Sequence, residues 1–240
     1  MNRPSTDTAS RASASAFEAE VQIDIRQLLL NGSLELPADA VGLILFAHGS
    51  GSSRFSTRNR RVAAQLRASG LGTLLFDLLT KREEEEDAYS GHLRFNVNLL
   101  ADRLHQAARW TRGHPRTSHL PLGYFGASTG AAAALIAAAA EPELVSAVVS
   151  RGGRPDLAGD ALPKVRAATL LIVGGDDEPV IPLNEEAFRQ LKCEKRLEIV
   201  PGASHLFEEP GTLDVVAKRA SWWFDSHLQR AARPARVPEP

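Results

Sequence analysis

Leu120-Pro121-Leu122-Gly123-Tyr124-Phe125-Gly126-Ala127-Ser128-Thr129-Gly130 runs directly into the alanine-rich segment Ala131 to Ala140. An apolar run of strand length, Leu120 to Phe125, meets a Gly-x-Ser-x-Gly pentapeptide, and a helical pattern starts at once behind it. That order reads as a sharp strand-to-helix corner with a serine at its apex, a nucleophile elbow. The flanking glycines carry no Cβ, so the helix and neighbouring strands can close on the corner while the hydroxyl is pushed into a cleft. Five residues recur by chance, and the setting of the corner has to carry the reading.

Working outward, strand and helix patterns alternate. Phe17 to Ile25 and Leu28 to Leu36 predict an antiparallel hairpin, closed off by Pro37. Val41 to Ala47 predicts a strand buried on both faces that runs out into His48-Gly49-Ser50-Gly51-Ser52-Ser53. A helix is expected from about Asn59 to Ser69, a strand over Gly72 to Phe76, then a charged loop from Asp77 to Gly91. An amphipathic helix follows over His92 to Trp110, with Leu93, Val97, Leu100, Leu104 and Ala107 on one face. Beyond the corner come strands at Leu144 to Ser150 and Ala168 to Val173, a helix near Leu183 to Leu191, a strand at Arg196 to Val200, and a last helix from Thr212 to about Leu228. The expected architecture is α/β: eight strands, mostly parallel, helices on both faces, in a single domain over residues 17–229. The tails 1–16 and 230–240 are expected to be disordered. Between Ser150 and Ala168 there is no room for a helical cap, which predicts an open site for small substrates.

Composition removes several classes of function. The 240 residues are 43% hydrophobic, enough for one sizeable core, and 28 Lys and Arg against 29 Asp and Glu leave a net charge of −1. Such a balance creates no global field for nucleic acid or an anionic membrane. One cysteine, Cys193, permits neither an intrachain disulfide nor a cysteine-based metal cluster. The first residues lack the apolar centre of a secretory signal, and no run reaches the length of a membrane span. These features predict a cytoplasmic protein with no nucleic-acid or membrane partner, monomeric or homodimeric.

In parallel α/β sheets ligands bind beyond the carboxyl ends of the strands, so the residues just after each strand are the candidates for chemistry. The loop after Ala168 to Val173 holds Asp176 and Asp177, of which Asp177 is the expected orienting acid. The loop after the last strand holds His205, which makes the chain order Ser, Asp, His found in elbow-bearing hydrolases. His92 is the one rival base. Ser128 as nucleophile, His205 as base and Asp177 as its carboxylate form the expected catalytic set. The oxyanion would be met by the backbone N–H groups of Thr129 and of Ser50, whose neighbours Gly49 and Gly51 permit a tight loop. His48 reads as a brace for that loop. Arg151 and Arg154, at another strand end, are candidates for a substrate carboxylate or for surface pairing. Tyr89 and Phe95 are candidate pocket lining, Arg54, Arg58, Arg60 and Arg61 candidate partners for the acids of Lys81 to Asp87, and Trp222-Trp223-Phe224 a cover for the sheet. A partly exposed tryptophan there would suggest a dimer contact.

On His48-Gly49-Ser50-Gly51, Gly126 to Gly130, Gly174-x-x-Asp177 and His205, the chain resembles the dienelactone-hydrolase-like group of α/β-hydrolases, over about Val21 to Leu228. The resemblance implies the α/β-hydrolase fold without a large cap domain. It also implies a Ser/His/Asp enzyme acting on small carboxylic esters or lactones with neither metal nor organic cofactor. The chain departs from that group at one point: dienelactone hydrolases proper use a cysteine nucleophile, whereas this elbow holds a serine. The departure moves the expected substrate from dienelactone to esters in general. Relatives that transfer acyl groups, use peroxide, cleave thioesters or phosphotriesters, or only bind small molecules share the scaffold, and pocket shape separates them.

Overall fold

The alternating pattern becomes one eight-stranded sheet in the computed structural model, which describes residues 15–232. Most of both expected tails lies outside these residues. In chain order the elements are β1 (Phe17–Ile25), β2 (Leu28–Leu36), β3 (Leu43–Ala47), α1 (Thr57–Ala68), β4 (Gly72–Phe76), α2 (Lys81–Ser90), α3 (Val97–Gly113), β5 (Leu122–Ala127), α4 (Thr129–Ala140) and β6 (Ala147–Arg151). A 3-10 segment, Pro155–Lys164, precedes β7 (Ala168–Gly174), α5 (Ile181–Gln190), β8 (Lys195–Val200) and α6 (Thr212–Ala232). The strand order is β1-β2-β4-β3-β5-β6-β7-β8. β1, β2 and β4 pair antiparallel, and every other pairing is parallel.

Two cores sandwich the sheet because its central strands are apolar on both faces. Along β3, Leu43, Leu45 and Ala47 join the core under α3 and α4, while Ile44 and Phe46 join the one under α1 and α6. All five are essentially inaccessible, as expected of a strand buried on both sides. Trp223 and Phe224 of α6 are buried against the second core, and Trp223 donates its indole N–H to the Ala168 carbonyl at 3.1 Å. Trp222, beside them, is 48% exposed. Only the 3-10 segment and its flanks occupy residues 152–167, so no cap domain lies between β6 and β7.

The structure corrects the expected charged loop: Lys81–Ser90 is a helix. Thr80 accepts from the Glu83 backbone N–H, and the Glu83 carboxylate accepts from the Thr80 N–H, a reciprocal capping box. Glu83 and Glu84 place negative charge at the positive helix end, Arg82 pairs with Glu86 one turn on, and Gly91 closes the helix at φ 67°. The amphipathic helix correspondingly starts later than expected, at Val97, where the Asn96 side chain accepts the Leu99 N–H. The basic residues after β3 are also spoken for differently. Arg54 pairs with Asp77 and Glu20, Arg58 with Glu208 and Arg61 with Asp214, not with the acids of α2.

Candidate active site

β5 delivers Ser128 at the sheet's carboxyl edge in a backbone conformation that few non-glycine residues adopt, φ 52° and ψ −124°. The corner is held by three main-chain bonds. The Ser128 N–H donates to the Arg151 carbonyl at 3.3 Å, and the Ser128 carbonyl accepts from Arg154 and Ala131 at 3.0 and 3.1 Å. Its glycines are required by contact. A Cβ on Gly126 would lie 2.5 Å from the Ala131 Cα, and one on Gly130 would lie 2.2 Å from the Ala47 carbonyl oxygen. Gly49 passes so near that its Cβ would be 3.0 Å from that of Ser128.

The two remaining members of the expected set arrive on the loops after β7 and β8. A Cβ on Gly174 would sit 2.2 Å from the Ala203 carbonyl oxygen, so glycine there lets the two loops close on each other. Asp176 is exposed and Asp177 buried, and it is Asp177 that faces the histidine: His205 Nδ1 lies 2.7 Å from Asp177 Oδ2. A carboxylate only accepts, so the proton of this contact sits on Nδ1, and in the neutral imidazole Nε2 then has the lone pair. Nε2 is 3.3 Å from Ser128 Oγ. Residues far apart in sequence thus form one hydrogen-bonded line from hydroxyl to imidazole to buried carboxylate.

Two supports of His205 have no local signature. Glu209 accepts the Ser204 N–H at 3.0 Å, and those hydrogen bonds hold its carboxyl below the usual range. On the other side Arg151 donates from Nη1 to the Leu206 carbonyl at 3.3 Å. Burial, with repulsion from Arg58, pulls the Arg151 guanidinium down to about 10. Of the two arginines considered for a substrate carboxylate, Arg154 is taken by a two-point pair with Asp156. Arg151 is buried beneath the histidine loop. The rival base His92 lies beside Ser90 and Asp87 rather than the serine. Cys193 contacts Thr169 near the amino end of β7, and burial raises its thiol.

The loop after β3 lies alongside the elbow. The Ser50 N–H donates to Thr129 Oγ1 at 3.0 Å. His48 braces the loop: its Nδ1 bonds the Gly49 carbonyl at 3.0 Å, and its Nε2 accepts the Leu78 N–H at 3.1 Å. Only neutral imidazole can do both, and burial holds the group below its ordinary value of 6.5. A folded value below the unfolded one means that the unfolded chain takes the proton first. The stabilisation is therefore complete above pH 6.5 and is lost as pH falls below it. In urea titrations the unfolding midpoint is expected to drop as pH falls below about 6.5, and to drop less in His48→Gln; equal slopes in the two proteins would refute the brace. His114, lowered mainly by burial, keeps part of the slope in both.

A cavity of about 470 Å³ adjoins the same loop, lined by His48 to Ser53, Phe55, Leu79, Glu84 and Arg94 among others. Its wall includes residues of α2 and of the turn after it. Tyr89 is 97% exposed and points to solvent, and neither it nor Phe95 lines the cavity. Asp87 anchors the turn by accepting from the Leu93 N–H and the Arg94 side chain. Among the described residues no three His, Cys, Asp or Glu side chains converge as metal ligands, and no helix is long and apolar enough to cross a membrane.

Comparison with known proteins places this geometry in a lineage. Two proteins of Mycobacterium tuberculosis, from strains CDC 1551 and H37Rv, are each 54% identical to it over 211 residues, 88% of this chain and 47% of theirs. The chain thus spans about half the length of the curated relatives it matches, which are provisionally named phosphoribosyl transferases. The crystal structure of a dienelactone hydrolase from Anabaena variabilis is 58% identical and superimposes with a TM-score of 0.88, covering 89% of this chain and 99% of that one. Est1E from Butyrivibrio proteoclasticus, 16% identical over 89% of this chain and 99% of its own, has a TM-score of 0.72 and shares the fold. The sequence pattern of the dienelactone hydrolase family matches residues 31–229, and with an α/β-hydrolase sheet in place around it the chain belongs to that family.

Proposed function

We propose that this α/β hydrolase cleaves small carboxylic esters or lactones through Ser128, His205 and Asp177, by way of an acyl-serine intermediate. The observation that carries the reading is the unbroken line from Ser128 Oγ to His205 Nε2, 3.3 Å, and from His205 Nδ1 to Asp177 Oδ2, 2.7 Å. His205 Nε2 takes the Ser128 proton as Oγ bonds to the ester carbonyl carbon, and Asp177 steadies the resulting imidazolium. Backbone N–H groups near the elbow, with Thr129 and Ser50 as the candidates, meet the oxyanion. Collapse expels the alcohol, which receives the proton from His205, and the acyl group stays on Ser128. Water then gives its proton to His205, attacks the acyl carbon, and releases the acid with the serine restored.

Several features favour a small, accessible ester. With no cap domain, the edge of the sheet is open, and the adjoining cavity of about 470 Å³ fits a compact acyl or alcohol group. Serine at the elbow favours esters in general over the dienelactone of cysteine-bearing relatives. The transferase name of the mycobacterial relatives is borne by chains about twice as long, and we assign the ester chemistry to the half that this chain matches. Labelling with a fluorophosphonate followed by peptide mapping tests the reading. Modification confined to Ser128 is the expected result, and an unlabelled protein would favour a small-molecule-binding role.

A further inference from the structure

Ser50 is placed to donate its N–H to an oxyanion, yet that N–H already has a partner: it points at Thr129 Oγ1, 3.0 Å away, across 79 residues of sequence. While that bond is made, the Ser50 N–H is directed at the threonine hydroxyl and not at a substrate oxygen. The Thr129 hydroxyl, in turn, has its acceptor side filled by Ser50, while its own proton meets no acceptor among the described residues. Thr129 is only 6% exposed. A buried hydroxyl with an unspent donor, on the residue directly after the proposed nucleophile, is available to donate to the carbonyl oxygen of an ester attacked by Ser128.

We propose that the Thr129 side chain is itself a catalytic residue, donating its O–H to the developing oxyanion while Ser50 acts through it. The inference rests on the serine-hydrolase reading above. Thr129 then supplies two donors from one residue, its backbone N–H and its hydroxyl, which covalent geometry keeps about 3 Å apart in a gauche rotamer. The Ser50 N–H fixes the hydroxyl's orientation and polarises it, so that N–H, O–H and oxyanion form a chain whose bonds strengthen one another. No proton changes hands in this contact. The Ser128 proton goes to His205, and the hydroxyl proton stays on Thr129 as the carbonyl oxygen gains charge and loses it again. Because charge on that oxygen appears only in the transition state, the contact acts on kcat rather than on ground-state binding.

Thr129→Val removes the hydroxyl at nearly constant volume. With a short p-nitrophenyl ester, kcat is expected to fall about 10²-fold, the scale of one lost oxyanion donor, with KM within about threefold. A trifluoromethyl ketone, whose tetrahedral adduct with Ser128 carries the same oxyanion, is expected to bind more weakly by the factor lost in kcat/KM. Thr129→Ser should restore both. If Thr129→Val lowers the melting temperature, Thr129→Ala provides a second hydroxyl deletion for the same three measurements. An unchanged kcat would mean that the Ser50 N–H swings free to serve the oxyanion directly, and a raised kcat would mean that the hydroxyl plugs the hole; either overturns the proposal. So would a rise in KM with intact kcat and ketone affinity, the sign of a loop anchor. Ser128→Ala made alongside keeps the two levels apart. If it is inactive while Thr129→Val is unchanged, only this inference falls; if it retains turnover, the hydrolase reading falls as well.

Discussion

Ser128→Ala is expected to lower ester hydrolysis by about 10⁵- to 10⁶-fold in kcat, the loss seen when the serine of a working triad is removed. In the proposed mechanism every covalent step passes through Oγ, and among the described residues no other side-chain hydroxyl is bonded to His205. The same variant should take up no fluorophosphonate. Its fold should persist. The hydroxyl makes no cap bond to α4, and the corner is held by main-chain bonds that alanine keeps. Removing it leaves no buried cavity, so the melting temperature should stay within about 2 °C. Turnover within about tenfold of the parent would show that Ser128 is not the nucleophile.

Asp177→Asn is expected to reduce kcat by about 10⁴-fold, while Asp176→Asn changes it by less than about threefold. The contrast tests two adjacent carboxylates of identical chemistry that the fold treats differently. Asp177 is buried against His205 Nδ1, whereas Asp176 is exposed with no side-chain bond to the histidine. An asparagine at 177 can turn its amide N–H₂ toward Nδ1, which moves the imidazole proton to Nε2 and leaves no lone pair for the serine. It also withdraws the negative charge that stabilises the imidazolium. Shape is nearly unchanged, so a rate loss without loss of stability isolates the electrostatic role. A larger loss at 176 than at 177 would reassign the acid. Steady-state kinetics on the two variants, with thermal melts as control, gives the comparison.

The legible parts of the fold are those in which a local pattern has only one physical outlet. β1, β2 and β4 begin and end where alternation and continuous apolar runs place them, because the sheet is the setting that buries a run such as Leu74 to Phe76 on both faces. The helix α2 is also written in the sequence, though in a different signal. Thr80 and Glu83 spell a capping box, but the acidic run between Lys81 and Asp87 has no apolar stripe, and its helicity comes from caps and charge pairs that a search for periodicity overlooks. The same reliance on apolar spacing extends α3 from Val97 back to His92, where Leu93 is apolar yet lies in a turn anchored by Asp87.

Long-range pairing is a different matter, since it depends on which loop ends meet above the sheet. Nothing around Arg151 states that its guanidinium will run under the histidine loop to Leu206, or that Arg154, three residues on, will be spent on Asp156. Nor does Ser50 announce that its N–H will be taken by the threonine that opens α4. Sequence by itself determined the strand and helix alternation, the elbow at Ser128 and the candidate acids and bases after each strand, because turns, caps and apolar periodicity act between near neighbours. Only the tertiary structure decided that Asp177 and not Asp176 meets His205, which arginine is buried, and how the Thr129 hydroxyl is engaged, because hydrogen bonds are set by distances of about 3 Å between groups that sequence order leaves free to meet or to miss.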